Sequence, residues 1–451
     1  MIGKPMTGGK PWLHILKFTI PVLAGSLLQQ LYQTADTVIV GNFTGERALA
    51  AVGTTNTLCF LLLAIAIGFS AGNGVISAQH FGAGKLNEVR KDGATGILFL
   101  GGLGIFFAII AIAFSRMAYQ YMVDVPENIL PETLTYFRIY ALGLLFQYLY
   151  NALAAILRSV GDSAATLYFL LIASVMNILL DLLFVALLGW GVAGAAWATN
   201  IAQAASVAAA WVYMHKKYTV FRYKIRDLVW DNAVAKDTFR IGLPIALQLV
   251  FVALGLTFIQ RAVNGFGQVM TATFAVGQRI EMYLHLPCNA LQTTLATFTG
   301  QNVGAKRMDR VKAGAYQGVL ISAIFTLILS VPVWCFADTL PGFFALSDTA
   351  ASYCTSYLKA IALVVVILSL YVPLFGVFQG TKHSLLPTVT ALCALTLRVI
   401  AVYTFKDSEY FGHTIIWWNP LFGFGLGCII TWIFYWSGIW KKTHKTVPHG
   451  I

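Results

Sequence analysis

The stretch Met176 to Leu188 reads MNILLDLLFVALL, an apolar run holding an asparagine and an aspartate four positions apart. On a helix this spacing stacks Asn177 and Asp181 on one face, roughly 5 to 6 Å apart. Asp36 lies in a second such run, QQLYQTADTVIVG, where Tyr32 and Gln29 precede it by one and two turns on the same face. Glu281 and His285 repeat the four-residue spacing in a third. An acid in such surroundings loses its hydration, and two that approach one another also repel, so a single proton or cation held between them relieves both penalties. The chemistry on offer is reversible cation binding. The plainer alternative is that these groups bridge helices by hydrogen bonds.

The elements that must position these residues are long apolar segments. The chain has 451 residues, 58% hydrophobic and 11% charged, with a mean hydropathy of +0.74. Average soluble domains carry about 25% charged residues. Twelve runs are long enough, at ~1.5 Å per residue, to cross a ~30 Å hydrocarbon core. They cover residues 13–40, 51–79, 95–114, 133–157, 166–188, 192–213, 239–262, 271–299, 313–336, 352–378, 385–405 and 415–440. The sequence predicts an all-α integral membrane protein.

The net charge of +12 invites a nucleic-acid reading, but membrane topology explains it better. Most basic residues fall in alternate loops: Lys4, Lys10 and Lys17; Lys85, Arg90 and Lys91; Lys216, Lys217, Arg222, Lys224 and Arg226; Lys306, Arg307, Arg310 and Lys312; and Lys441, Lys442 and Lys445. The intervening loops carry acids such as Asp124, Glu127, Asp338 and Asp407. By the positive-inside rule both termini are cytoplasmic. The first span is too long for a signal h-region and is expected to be retained. Cys59, Cys288, Cys335, Cys354, Cys393 and Cys428 are scattered without metal spacing and are expected to be small buried hydrophobes.

The longest polar connector, 216–236, divides the chain into residues 1–215 and 237–451, six spans each. The halves repeat one another. QHFGAGKLNEVR after the second span and QNVGAKRMDRVK after the eighth share Gln, Gly, Ala, Val and a basic residue without a gap. Six spans per repeat make the repeat parallel, with a pseudo-twofold axis along the membrane normal, an organisation that commonly places a substrate cavity between two bundles. The segment from Phe81 to Leu86 lacks the first glycine and the Ser or Thr of a phosphate loop, so no nucleotide site is expected and an ion gradient is the remaining energy source.

Phe18-Thr19-Ile20-Pro21-Val22, the segment from Ala35 to Gly41, Gln79 to Gly84, Leu157-Arg158-Ser159-Val160-Gly161-Asp162-Ser163, Gly191 to Thr199, and Phe378-Gln379-Gly380-Thr381 together resemble the multidrug and toxic compound extrusion (MATE) family, in particular its DinF-like branch. The match covers nearly the whole chain. The resemblance implies two six-helix lobes, alternating access, and export of amphipathic, often cationic drug-like compounds in exchange for protons or sodium. It also implies a cation site built from Asp36, Asn177, Asp181 and Thr199, which would be the metal ligands if the ion is sodium. No cofactor beyond the coupling ion is implied. The expected partners are small-molecule substrates and the lipid bilayer of a bacterial-type inner membrane, with the protein acting as a monomer.

Counting along the predicted spans supports the grouping. Asp36, Asp181 and Thr199 each lie about 8 to 12 Å below the outer end of their helix. Arg138, early in the fourth span, is the one N-half arginine placed to pair with them. Gln29, Tyr32 and Asn151 are candidate cavity residues. In the other half Arg279, Glu281, Lys359 and Arg398 share a depth and read as a neutralised ion-pair cluster; the sharper reading makes Glu281, with His285, a second titrating or substrate-binding site. Pro21, on the helix of Asp36, offers a point of bending. Alternatives are a lipid-linked oligosaccharide flippase, which would need a strongly basic cavity, a channel, and a membrane-embedded enzyme, for which the eight histidines form no cluster.

Overall fold

The computed structural model describes residues 3–344 and 346–441; Lys442 and Lys445 lie outside them. The described regular elements are helical. In order they are α1 (Pro11–Thr44), α2 (Glu46–Gly82), α3 (Leu86–Met117), α4 (Leu130–Leu142), α5 (Leu144–Ser159), α6 (Ser163–Asp181), α7 (Gly191–Lys217), α8 (Asn232–Gly265), α9 (Gln268–Gly304), α10 (Met308–Cys335), α11 (Asp348–Ser369), α12 (Val372–Gly380), α13 (Leu385–Phe405) and α14 (Ile415–Ser437). Nine segments among the described residues are long and apolar enough to cross a bilayer, α11 and α12 counting as one, and the bent pair α4–α5 makes a tenth. The other two, α7 and α9, have 27 and 37 residues, ample length for a crossing. Twelve spans result, at the places the hydropathy pattern predicts.

Two of these spans are broken. The fourth bends by 43° between α4 and α5, and the tenth restarts at α12, where Pro373 occupies the first turn and its missing N–H leaves no gap in the ladder. By contrast α1, α8 and α9 run unbroken through Pro21, Pro244 and Pro287. After Asp181 the fifth span changes to a wider π-helical turn over Leu182–Leu187, a local form often found at functional positions.

The chain divides into two compact units. The first comprises Met1–Met6 and Ile20–Ala246, the second Thr7–Thr19 and Leu247–Ile451. One division, between Met6 and Thr7, precedes α1, and the other two fall inside the continuous helices α1 and α8, whereas the connector reading placed the boundaries at 215/216 and 236/237. The connector is also less polar than its charge suggests. Tyr218, Phe221 and Tyr223 are buried in the first unit beside Phe81, Leu157 and Met214, and Arg90 clasps it through the Arg222 carbonyl at 3.0 Å and Asp227 at 2.8 Å. Its aromatics bury apolar area that its charges cannot.

The first unit is also tied by a close crossing of small residues. A Cβ on Gly68 of α2 would meet the Ala246 nitrogen of α8 at 2.5 Å, so glycine lets the two backbones touch. In the second unit Arg310 holds the segment before α1, donating to the carbonyls of Gly9 at 2.6 Å and Gly8 at 2.8 Å, and Thr19 bonds Thr294 at 3.0 Å. The cysteines need one correction. Cys59, Cys288 and Cys354 are buried, but Cys335 and Cys393 lie on the exterior, because an apolar exterior faces lipid in a membrane protein and attracts the same residues as a core.

Candidate functional site

Asp36 on α1 and Asp181 on α6 lie within each other's electrostatic reach. Asp181 is fully buried and Asn177, one turn before it, nearly so. Both oxygens of Asp181, Oδ1 of Asp36 and both amide atoms of Asn177 are buried without a hydrogen-bond partner among the described residues. Buried polar atoms are normally satisfied, and an unsatisfied group costs about 1 to 3 kcal/mol, more if charged. A set of orphaned oxygens in one place therefore fits a proton or a cation. Among the described residues no three His, Cys, Asp or Glu side chains gather as metal ligands, so a bound metal would rely on amide and hydroxyl oxygens as well.

The remaining sequence candidates divide. Tyr32 lies within the electrostatic reach of Asp36 and of Tyr150. Thr199 turns its hydroxyl hydrogen back to the Ala195 carbonyl at 3.1 Å, which leaves its oxygen lone pairs for another ligand. Gln29 is half-buried, and Asn151 donates its amide to the Gln147 carbonyl of its own helix at 2.8 Å. Arg138 points elsewhere: it is exposed, and its Nε donates to Ser115 at 2.8 Å. The arginine expected to compete for the carboxylates is thus engaged on α3.

Two residues escaped the sequence reading. Tyr136 of α4 is buried within the field of both Asp36 and Asp181; as one of 19 tyrosines it carried no spacing signal. Asn200, next to Thr199, is buried and donates to the Ile139 carbonyl at 2.5 Å, just before the break at Gly143.

Glu281 and His285 belong to the second unit, and the expected ion-pair cluster around them is not there. Lys359 pairs with Asp338 at 2.9 Å, Arg279 is exposed, and Arg398 donates to Asn419 at 2.8 Å. Glu281 instead accepts from the Tyr357 hydroxyl and approaches His285 at 3.4 Å. Equal depth put these residues on one level, but the rotation of each helix sends their side chains to different neighbours.

Comparison with known proteins gives the family of the chain. The MatE family model matches residues 21–183 and 244–404, a range that includes Asp36 and Asp181. The chain belongs to the MatE family. Relatives of this MatE chain include the probable multidrug resistance protein YoeA of Bacillus subtilis (strain 168), 27% identical with 96% of this chain and 95% of that one covered. Another is the FAD transporter of Shewanella oneidensis, 22% identical over 86% of each. Among solved structures, a MATE protein in its straight conformation matches with a TM-score of 0.91 at 22% identity, covering 98% of this chain and all of that one. The bent conformation matches with 0.89 at 22% identity, covering 97% and 98%. The family is one of membrane transporters, so the enzymatic reading falls away, and the MatE fold is that of these structures.

Proposed function

We propose that the protein is a cation-coupled antiporter that exports amphipathic, often cationic small molecules by alternating access, with protons or sodium as the coupling ion. The observation that carries the reading is the pair Asp36 and Asp181, whose buried oxygens lack partners inside an apolar bundle. An ion that neutralises the pair stabilises one packing of α1 against α6 and α4, and its loss favours another; the difference in affinity sets how far the ion shifts that equilibrium, and the ion gradient supplies the work of export. Asn177 and Thr199 add oxygens that a sodium ion would need and a proton would not. The names of relatives, multidrug resistance and multidrug export proteins, support the substrate class. The alternation of basic and acidic loops supports an inner-membrane orientation with both termini cytoplasmic.

The test is efflux from proteoliposomes containing the purified protein, with a pH gradient or a sodium gradient imposed one at a time. One gradient is expected to drive export of an organic cation such as ethidium. Export that is indifferent to both gradients overturns the reading.

A further inference from the structure

Arg398 of α13 is buried at 9% exposure, roughly 10 Å from the end of its helix. A guanidinium at such a depth is costly and normally pairs with an acid. Here no carboxylate lies within ion-pair distance among the described residues; the nearest candidate acid, Glu281, spends its oxygens on Tyr357 and His285. Of the five N–H donors of Arg398, the Nε–H goes to Asn419 Oδ1, and the four on the Nη atoms meet no acceptor among the described residues.

The surroundings hold this cation in place. Asn419 is fully buried, and its amide donates to the carbonyls of Ile415 at 3.3 Å and Ile416 at 2.5 Å, which aims its Oδ1 at the guanidinium. The aliphatic stem of Arg398 crosses Gly423, where a Cβ would stand 2.3 Å from Cγ. The guanidinium lies over the ring of Phe424 at 5.3 Å, and the His285 ring packs edge-on against that same ring at 6.1 Å. His285 Nε2 faces Glu281 Oε1 at 3.4 Å and makes no other polar contact within the described residues. An oriented cation with unused Nη donors and an aromatic ring therefore converge in the second unit, while the Glu281 carboxylate is engaged by Tyr357 and His285.

We propose that Arg398, braced by Asn419 and flanked by Phe424 and His285, binds the carboxylate of an amphipathic aromatic substrate. The fork of Nη donors matches a carboxylate in two parallel hydrogen bonds, while Phe424 receives the apolar ring. The site goes beyond the cation chemistry of Asp36 and Asp181: it gives the protein a means of accepting zwitterionic or anionic compounds.

The test titrates detergent-purified protein with two fluorescent probes of one shape, pyrenebutyrate and the neutral pyrenebutanol. Arg398→Gln is expected to weaken pyrenebutyrate binding by about tenfold or more, as expected for a lost charge-assisted pair, and to leave pyrenebutanol unchanged. Arg398→Lys, which keeps the charge but not the fork, recovers part of the loss. The binding assay imposes no ion gradient, so failure here is distinct from failure of the coupling site, and Arg138→Gln, outside both sites, serves as the control that keeps the parent ratio. Equal effects of Arg398→Gln on both probes, or no effect on either, overturn the proposal. If Arg398→Gln does not yield folded protein, Asn419→Ala carries the same test by the same criterion.

Discussion

Asn200 on α7 reaches the Ile139 carbonyl of α4 at 2.5 Å, and a Cβ added at Gly143 would stand 1.8 Å from Asn200 Oδ1. The bend in the fourth span frees backbone acceptors, and a side chain from the neighbouring span satisfies one of them. Only glycine leaves room for it. Asn200→Ala is expected to lower stability by about 1 to 3 kcal/mol through the unmatched carbonyl. Gly143→Ala should be at least as damaging alone, yet the double variant should cost less than the sum of the two, since removing the amide removes the clash. Apparent melting temperatures in detergent, measured for all three, check this.

Asp36→Asn and Asp181→Asn are each expected to abolish gradient-driven efflux, a loss of at least about a hundredfold, while folded protein is recovered in normal yield. An amide keeps the shape but cannot exchange a charge. Transport at the parent rate by both variants in proteoliposomes would place the coupling elsewhere.

Arg138 supplies the control. Because its Nε is bound to Ser115, Arg138→Gln should change stability by less than about 1 kcal/mol and leave the ion dependence of efflux as it was. A shift in the pH profile of transport would mean that Arg138 does act on the carboxylates.

Asp162, in the loop between α5 and α6, has a pH signature of its own. Burial pushes its carboxyl up, but the Tyr218 hydroxyl at 2.6 Å, the Lys217 ammonium at 2.9 Å and the Tyr213 hydroxyl at 2.8 Å more than offset this and hold it below the usual carboxylate range. A carboxyl depressed on folding adds stability that is fully present above its unfolded pKa of about 3.9 and is lost as pH falls through the lower, folded value. Asp162→Asn is expected to cost about 1 to 3 kcal/mol at neutral pH and to flatten the acid limb below pH ~4. Chemical or thermal unfolding across that pH range measures both.

Much of this was written in the sequence. Hydropathy located the twelve spans, because a bilayer demands apolar runs of fixed length and leaves the backbone no choice but helix. The four-residue spacing of Asn177 and Asp181, and their depth shared with Asp36, likewise pointed to one site, since rise per residue converts position into height. Height is only one coordinate. The rotation of each helix about its own axis depends on packing, and that sends Arg138 to Ser115, Lys359 to Asp338 and Arg398 to Asn419 although linear counting put them level with acids. The bend at Gly143, the π-turn after Asp181 and the approach of Tyr136 to the carboxylates are likewise products of neighbouring helices meeting. They are contacts between residues far apart in the chain, which no local pattern encodes and which only the tertiary structure decided.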